Sequence, residues 1–320
     1  MSNEADEFDL SGDRGFLDFR ESVYHAVFLA CATISVLTTI GIILSLAGPA
    51  LGILQPGFFQ DVSLGEFLLT TNFSPKITPV QFGVLPLVFG TLLVTVGAAA
   101  IALPFGLLTA IYLSEYAGER RRAVLKPMLE VLAGVPTVVY GYFALVYVTP
   151  FLDAIPGIDL GTFNALSASL VMGIMIIPMV SSISEDAMSA VPDSLRNASY
   201  GLGSTKFDVS TGVVVPAAAS GIASSFILAI SRAVGETMIV VVAAGTTDRF
   251  PGGPGEVLTA FFKSTQTMTS AMVQLGTSDL AGGTTAYRAL FAIGLVLFVL
   301  TLGLNLLSDV LVRRYEEDYD

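Results

Sequence analysis

The sequence is nearly without the side chains that soluble enzymes use for catalysis and metal binding. Its 320 residues include one cysteine, Cys31, one histidine, His25, and no tryptophan. A lone cysteine excludes an internal disulfide and a cysteine metal cluster. A Ser-His-Asp triad would have to use His25, and nothing marks a nucleophile near it. We interpret both residues as packing residues, and soluble enzyme chemistry is not expected.

The sequence also lacks the loop with which many nucleotide hydrolases hold phosphates. That loop has the pattern G-x-x-x-x-G-K-[ST], and the stretch nearest to it, GLGSTK at 201–206, does not have its spacing. We therefore expect the chain not to be an enzyme. Any ATP hydrolysis that it uses is expected on another chain, and no cofactor is expected on this one.

Charged residues are scarce, and long apolar runs take their place. Only 13% of the residues are charged, against about a quarter in soluble domains. Six apolar runs reach the length of a membrane-spanning helix, about 20 residues, and they are continuous rather than alternating, which favours helices over strands. The sequence therefore predicts an all-α integral membrane protein. Its spans are expected at Val23–Leu46, Val84–Leu113, Pro127–Phe151, Leu166–Ser184, Ala217–Ala244 and Ala289–Val312.

Lysine and arginine are distributed unevenly between the two sides of these spans. Ten lie on the side that holds both termini and four on the other, so the positive-inside rule makes the first side cytoplasmic. We therefore predict a multi-pass protein of the cell membrane with both termini in the cytoplasm. The ten are Arg14, Arg20, Arg120, Arg121, Arg122, Lys126, Arg196, Lys206, Arg313 and Arg314, and the four are Lys76, Arg249, Lys263 and Arg288.

Acidic residues cluster at the two ends of the chain, and the net charge is −12. We interpret residues 1–22 and 313–320 as solvated cytoplasmic tails; adaptation to high salt is the alternative explanation of the acidity. Between the tails we expect a first span with its external segment, 23–83, and a core, 84–312. Such a chain is expected to contact membrane lipid, and no nucleic-acid partner is expected.

A polar loop, residues 185–216, separates the fourth and fifth spans on the predicted cytoplasmic side. Its sequence is EDAMSAVPDSLRNASYGLGSTKFDVSTGVVVP. We expect a helix in it that is capped by Asp193 or Ser194 and ended by Gly201 and Gly203.

The same loop resembles the coupling loop of ABC-importer permeases. That family pattern is Glu-Ala-Ala, three residues, Gly, nine residues and Ile-x-Leu-Pro; the spacing agrees, although the glutamate is absent and valines replace the larger apolar residues. The resemblance implies a type I ABC-importer permease fold and docking on a partner ATPase that holds ATP and magnesium. A helix that merely connects two spans is the alternative. The coupling residues that the resemblance implies are Asn197, Ala198, Ser199, Gly203, Lys206 and Pro216.

Three further stretches resemble the permease subunits of phosphate importers, and LAGVPTVVYGYFAL in particular those of the PstC type. They are Leu85–Ala117, Lys126–Leu145 and Ser231–Val240. The resemblance implies alternating access driven by ATP. The partners that it implies are a PstA-like second permease, a PstB-like ATPase dimer and an extracytoplasmic PstS-like phosphate-binding protein. The alternatives are a PstA-type subunit, a molybdate or sulfate permease, an ion-driven secondary transporter, and a sensor or scaffold.

Arg232 and Glu236 are costly to place in a membrane, because a charge at the middle of a span costs about 2.5–3.5 kcal/mol on insertion scales. Being four residues apart, they are expected on one helical face. A structural pair that holds two helices together is one interpretation. We favour a place in the translocation path, with the Arg232 guanidinium for the oxygens of phosphate. Glu236 would then accept the proton that hydrogen phosphate carries and sulfate lacks.

Glu115 and Glu130 bracket the loop at 120–126 and are interpreted as structural. Glu130 is expected in the first turn of a helix that starts at Pro127. Outside the spans, a short helix is expected near Leu64–Thr70. The run Val257–Leu275 leaves three possibilities: an external amphipathic helix, a re-entrant segment and a seventh span.

Overall fold

The computed structural model describes residues 14–53, 56–248, 250–280 and 282–316, which are mostly helical. Most of the predicted N-terminal tail, residues 317–320 and Arg249 lie outside this part of the chain. The helices are α1 (Arg14–Leu51), α2 (Phe58–Asp61), α3 (Leu64–Leu69), α4 (Leu85–Ile111), α5 (Glu119–Gly134), α6 (Thr137–Phe143), α7 (Thr149–Asp153), α8 (Ala165–Ser189), α9 (Asp193–Gly201), α10 (Lys206–Val209), α11 (Val215–Ala217), α12 (Ala219–Val234), α13 (Pro254–Ala260), α14 (Met268–Gly276) and α15 (Thr285–Glu316). Short π-helical segments are Tyr112–Tyr116, Ala144–Val148, Ser210–Val214 and Val240–Ala244, and two short strands are β1 (Phe73–Ser74) and β2 (Gln81–Phe82).

Four of the predicted spans are confirmed as long apolar helices. They are Phe19–Leu51, Leu85–Tyr116, Ala165–Ser189 and Thr285–Leu307. α1 begins at Arg14, earlier than the predicted Val23. The difference arises because hydropathy marks only the part of a helix that is apolar enough for the hydrocarbon core.

The third and fifth spans are broken, which corrects the expectation of single helices over Pro127–Phe151 and Ala217–Ala244. α5 meets the segment Thr137–Asp153 at 88°, and Lys206–Ala217 meets α12 at 71°. If each bent pair counts as one span, the described part of the chain has up to six, as predicted.

Proline explains the first break. Val135 is extended and Pro136 precedes α6 without helical geometry. Proline has no N–H to donate, and its ring pushes the preceding residue out of the helical region. α5 itself begins at Glu119. Pro127 therefore lies inside the helix rather than at its start. Glu130 lies near the C-terminal end of the helix, so the expectation that it lies in the first turn is wrong.

The centre of the molecule is the pair α4 and α8, which approach each other closely at glycines. A Cβ at Gly173 would lie 2.9 Å from the carbonyl oxygen of Ala98, and a Cβ at Gly106 would lie 2.6 Å from the side chain of Val180. Small residues allow membrane helices to pack backbone to backbone in this way. The contact makes α4 and α8 the scaffold against which the broken helices α5 and α12 are held.

The segment between α1 and α4 is a small aromatic unit, and its α3 confirms the helix predicted near Leu64–Thr70. Phe58 meets Phe67 and Phe82 edge to face, with ring centroids 5.2 and 5.3 Å apart. A guanidinium nitrogen of Arg288, at the start of α15, lies 2.7 Å from the Asp61 carboxylate. The unit is therefore anchored to the last long helix.

The run Val257–Leu275 is neither a seventh span nor one external helix. α13 ends at Ala260, and α14 begins at Met268 and has nine residues, far fewer than the roughly 20 that a span needs. Backbone carbonyls of the connection accept hydrogen bonds from the N–H groups of Ala165 and Leu166 at the start of α8. Met268 is fully buried. The run folds back into the helical core, as the re-entrant possibility requires.

Candidate coupling surface and translocation cavity

The end of α9 is set by a left-handed glycine. Gly203 has φ +86°, a conformation that glycine adopts without strain. Its N–H donates to the carbonyl of Tyr200 at 2.9 Å, and the N–H of Ser204 donates to that of Ser199 at 3.3 Å. These two bonds are the Schellman motif. The predicted helix and its end at Gly203 are confirmed.

The start of α9 differs from the expectation, because the residue before it is Pro192 and Asp193 is its first residue rather than its side-chain cap. Asp193 still lies at the positive end of the helix dipole. α10 begins after Thr205, whose hydroxyl oxygen accepts from the Asp208 N–H while the Asp208 carboxylate accepts from the Thr205 N–H. The loop therefore contains two helices joined by a hydrogen-bonded turn.

Apolar side chains project from this loop, and we call them the coupling surface. Leu202 is 89% exposed and Phe207 is 66% exposed. Exposed apolar patches rimmed by polar residues mark sites of protein association. Phe207 was expected to contact the ATPase or to lead back to the bilayer. Leu202 was not singled out, although an apolar side chain directly before Gly203 in a polar loop was a readable signal. The surface consists of Leu195, Tyr200, Leu202 and Phe207.

The coupling residues expected from the resemblance fall in three places. Asn197, Ala198 and Gly203 are exposed beside the coupling surface, and Ser199 is half-buried. The Lys206 ammonium lies 5.1 Å from the centroid of the Tyr116 ring, a cation–π contact within the chain. Pro216 lies in α11, directly before the 71° bend.

Arg196 joins the coupling helix to the long helices. Its guanidinium donates to the carbonyl of Met188, in the last turn of α8, at 2.7 Å and to the carbonyl of Val191, two residues after α8 ends. It also lies 3.1 Å from the carboxylate of Glu115, at the π-helical end of α4, and the two side chains are 14% and 6% exposed. Glu115 is thus structural, as expected. The role of Arg196 was missed, because its partner Glu115 lies 81 positions away in the sequence.

A cavity of about 330 Å³ lies between α5, α8 and α12. Arg232, in the last turn of α12, lines it, and its side chain is exposed. Among the described residues, Arg232 makes no hydrogen bond or ion pair. A guanidinium that faces a cavity without a carboxylate partner is able to bind an oxyanion with several donors. The polar residues of the wall are Lys126, Glu130, Ser181, Ser182, Glu185 and Arg232.

Glu236 does not share this cavity, and the expectation that it lies on one helical face with Arg232 is wrong. α12 ends at Val234, and the chain becomes helical again at Met238. The Glu236 carboxylate accepts hydrogen bonds from the N–H groups of Thr237 and Met238, at 3.1 and 3.0 Å. It caps the next helical stretch, because the break gives that stretch free N–H groups of its own.

Glu185 is a second buried charge that the sequence reasoning missed. Its side chain is fully buried, and its two oxygens contact Arg122 and, at 2.9 Å, the ammonium of Lys126. Both cations lie on α5, so the ion pairs hold α5 against α8. Glu185 lies 63 positions from Arg122 and 59 from Lys126 in the sequence, so no local sequence pattern predicts these ion pairs.

Comparison with known proteins fits this arrangement. The family model for the "binding-protein-dependent transport system inner membrane component" matches residues 102–317. The chain belongs to this family. It is accordingly a membrane-embedded, multi-pass subunit of a transporter that depends on a binding protein, and a transport component rather than an enzyme.

Three similar proteins illustrate the relationship of this permease to others. The probable ABC transporter permease protein YqgH of Bacillus subtilis is 34% identical, over 90% of this chain and 89% of its own. The phosphate transport system permease protein PstC of Xylella fastidiosa is 30% identical, over 96% and 95%. A subunit of a bacterial ABC transporter involved in alginate import shares the fold, with a TM-score of 0.62 at 16% identity over 94% and 99% of the two chains.

Proposed function

We propose that this chain is the PstC-type permease of an ATP-driven phosphate importer and that Arg232 binds the anion on its way through. The observation that carries the proposal is the Arg232 guanidinium, which lines a cavity and has no hydrogen-bond or ion-pair partner among the residues that the structure describes. A planar guanidinium donates to two oxygens of a phosphate at once. The PstC relative, which aligns over nearly the whole chain, supports the same substrate and the PstC type.

The proposed assembly contains a PstA-like permease, two PstB-like ATPase chains and a PstS-like phosphate-binding protein. The coupling surface docks on an ATPase chain, which holds ATP and magnesium. Both termini and the coupling loop face the cytoplasm, and the segment between α1 and α4 faces the binding protein. Closure of the ATPase dimer moves α9, and Arg196 transmits the displacement to α4 and α8.

The test is uptake of labelled phosphate by proteoliposomes that contain the complete assembly. We expect uptake that requires ATP, the ATPase chains and the binding protein. Arg232→Ala is expected to lower uptake at least about tenfold, because a lost charge-assisted hydrogen bond to an anion is worth roughly 1.5–3 kcal/mol.

The matched control is Arg120→Ala, which removes an exposed arginine of α5 that does not line the cavity. Its uptake should equal that of the wild type. Uptake at the wild-type rate by an assembled Arg232→Ala complex would contradict the proposed site. Uptake without the ATPase would indicate an ion-driven transporter, and transport of sulfate or molybdate in place of phosphate would indicate a different oxyanion permease.

A further inference from the structure

The cavity that holds Arg232 also exposes one carboxylate that the structure leaves without a partner. Two glutamates line the cavity, Glu130 and Glu185. Both oxygens of Glu185 are occupied, by Arg122 and by Lys126. Glu130 is exposed and makes no hydrogen bond or ion pair with any residue that the structure describes. A free acceptor and a free donor, Glu130 and Arg232, therefore line the same cavity.

The position of Glu130 is unfavourable for the helix that carries it. α5 runs from Glu119 to Gly134, so Glu130 lies close to the C-terminal end. The helix dipole places partial negative charge at this end, which repels a carboxylate. Glu119, in the first turn of the same helix, occupies the favourable end. Helix stability thus accounts for a glutamate at position 119 and does not account for one at position 130.

We propose that Glu130 is the residue by which the cavity distinguishes a protonated oxyanion from a fully deprotonated one. This inference rests on the proposed function. An ionised carboxylate only accepts hydrogen bonds. Hydrogen phosphate carries a P–O–H group that donates to Glu130 while its other oxygens accept from Arg232. Sulfate still accepts from Arg232 but has no proton to donate to Glu130. The sulfate oxygen that faces the carboxylate is therefore repelled by like charge, and the Glu130 carboxylate is left without a hydrogen bond.

This assignment moves the selecting carboxylate from Glu236 to Glu130. Glu236 was expected to accept the proton of hydrogen phosphate, yet its carboxylate is occupied by the backbone N–H groups that it caps. The chemical requirement is unchanged. The break after α12 removes Glu236 from the cavity, and the bend after α5 leaves Glu130 facing it.

The test is equilibrium binding of labelled orthophosphate and labelled sulfate to the complex of both permeases and the ATPase in lipid nanodiscs. The binding protein is omitted because it has its own selectivity. We expect the wild type to prefer phosphate, and Glu130→Gln to lower the preference about tenfold or more. The amide of glutamine donates to a sulfate oxygen, so most of the change should come from tighter sulfate binding.

Two further variants separate this role from a structural one. Glu130→Asp keeps the carboxylate and should keep the preference for phosphate. Glu119→Gln makes the same chemical change at the other end of α5 and should change neither affinity. A wild-type preference that Glu130→Gln leaves intact would overturn the inference alone. Equal binding of both anions by the wild type would overturn the phosphate assignment together with it.

Discussion

At the scale of single residues, charge inside this protein is distinguished by what it contacts. Glu185 and Glu115 are held by cations of neighbouring helices, and Glu236 caps a helix. Arg232 and Glu130 line one cavity without such contacts among the described residues. Hydropathy marks all of these residues as costly and does not separate structural charges from available ones. To tell the two kinds of charge apart, the positions of side chains on neighbouring helices must be known.

The ion pairs of Glu185 predict a loss of stability on neutralisation. Glu185→Gln should lower the free energy of unfolding by about 1–3 kcal/mol, because it leaves two cations facing a buried site. The effect stays below that of a fully buried pair, since Arg122 and Lys126 are 41% and 35% exposed. Thermal unfolding of the purified complex measures it.

The chain offers a matched control for this change. Asp186 lies 3.7 Å from the same Lys126, and its carboxylate is 68% exposed. Asp186→Asn should change stability by less than about 0.5 kcal/mol, as exposed pairs usually do. Equal effects of the two substitutions would show that Glu185 does not hold α5 against α8.

At the scale of elements, the sequence predicted which segments are helical better than where they bend. Apolar length decides the existence of a span, so α1, α4, α8 and α15 were found. Pro104 and Pro178 lie inside α4 and α8, which continue through them, whereas Pro136 coincides with the 88° bend. Proline bends one helix and leaves two others continuous, because packing against neighbouring helices decides whether the carbonyl that loses its hydrogen bond to the proline finds another partner.

The coupling loop predicts different outcomes for two neighbouring glycines. Gly203→Ala places a side chain at φ +86°, which costs about 1–2 kcal/mol and loosens the end of α9 beside Leu202. We expect weaker association with the ATPase and lower uptake. Pull-down of the ATPase and phosphate uptake measure the two effects.

Gly201→Ala is the control, because Gly201 is helical and a Cβ there meets no atom within 4 Å. Alanine favours a helix over glycine by roughly 0.5–1 kcal/mol, so association should be unchanged. If both variants bound the ATPase as the wild type does, the turn at Gly203 would have no part in docking.

At the scale of the whole molecule, the cavity with Arg232 and the coupling surface are joined by α8 and α4. Near its C-terminal end, α8 contacts Arg196 through the Met188 carbonyl. About two turns earlier, Ser181 and Ser182 of the same helix line the cavity. Under the proposed function, a movement of the coupling loop is expected to reach the cavity through the scaffold packed at Gly106 and Gly173. The sequence predicted a coupling loop and a role for Arg232, which stay predictions. It could not predict the contacts of Arg196 with α4 and α8 that lie between them.

The orientation of the molecule is a prediction that labelling tests. In a Cys31→Ser background expressed without the ATPase chains, which would cover Leu202, Leu202→Cys should react with a membrane-impermeant maleimide only in inverted vesicles. Lys76→Cys, exposed between β1 and β2, should react only in intact cells. The reverse pattern would place the coupling loop outside the cytoplasm and would contradict ATPase docking.

The break at Pro136 also bears on how the protein enters a membrane during synthesis. α5 has 16 residues, so it is about 24 Å long, less than the roughly 30 Å of a hydrocarbon core. It also begins with the charged run ERRR, at 119–122. Such a half-span is a poor substrate for the insertion machinery on its own. We expect insertion of this region to be completed only after α8 has been made and Glu185 can pair with Arg122 and Lys126 of α5, so that the third span is completed after the fourth.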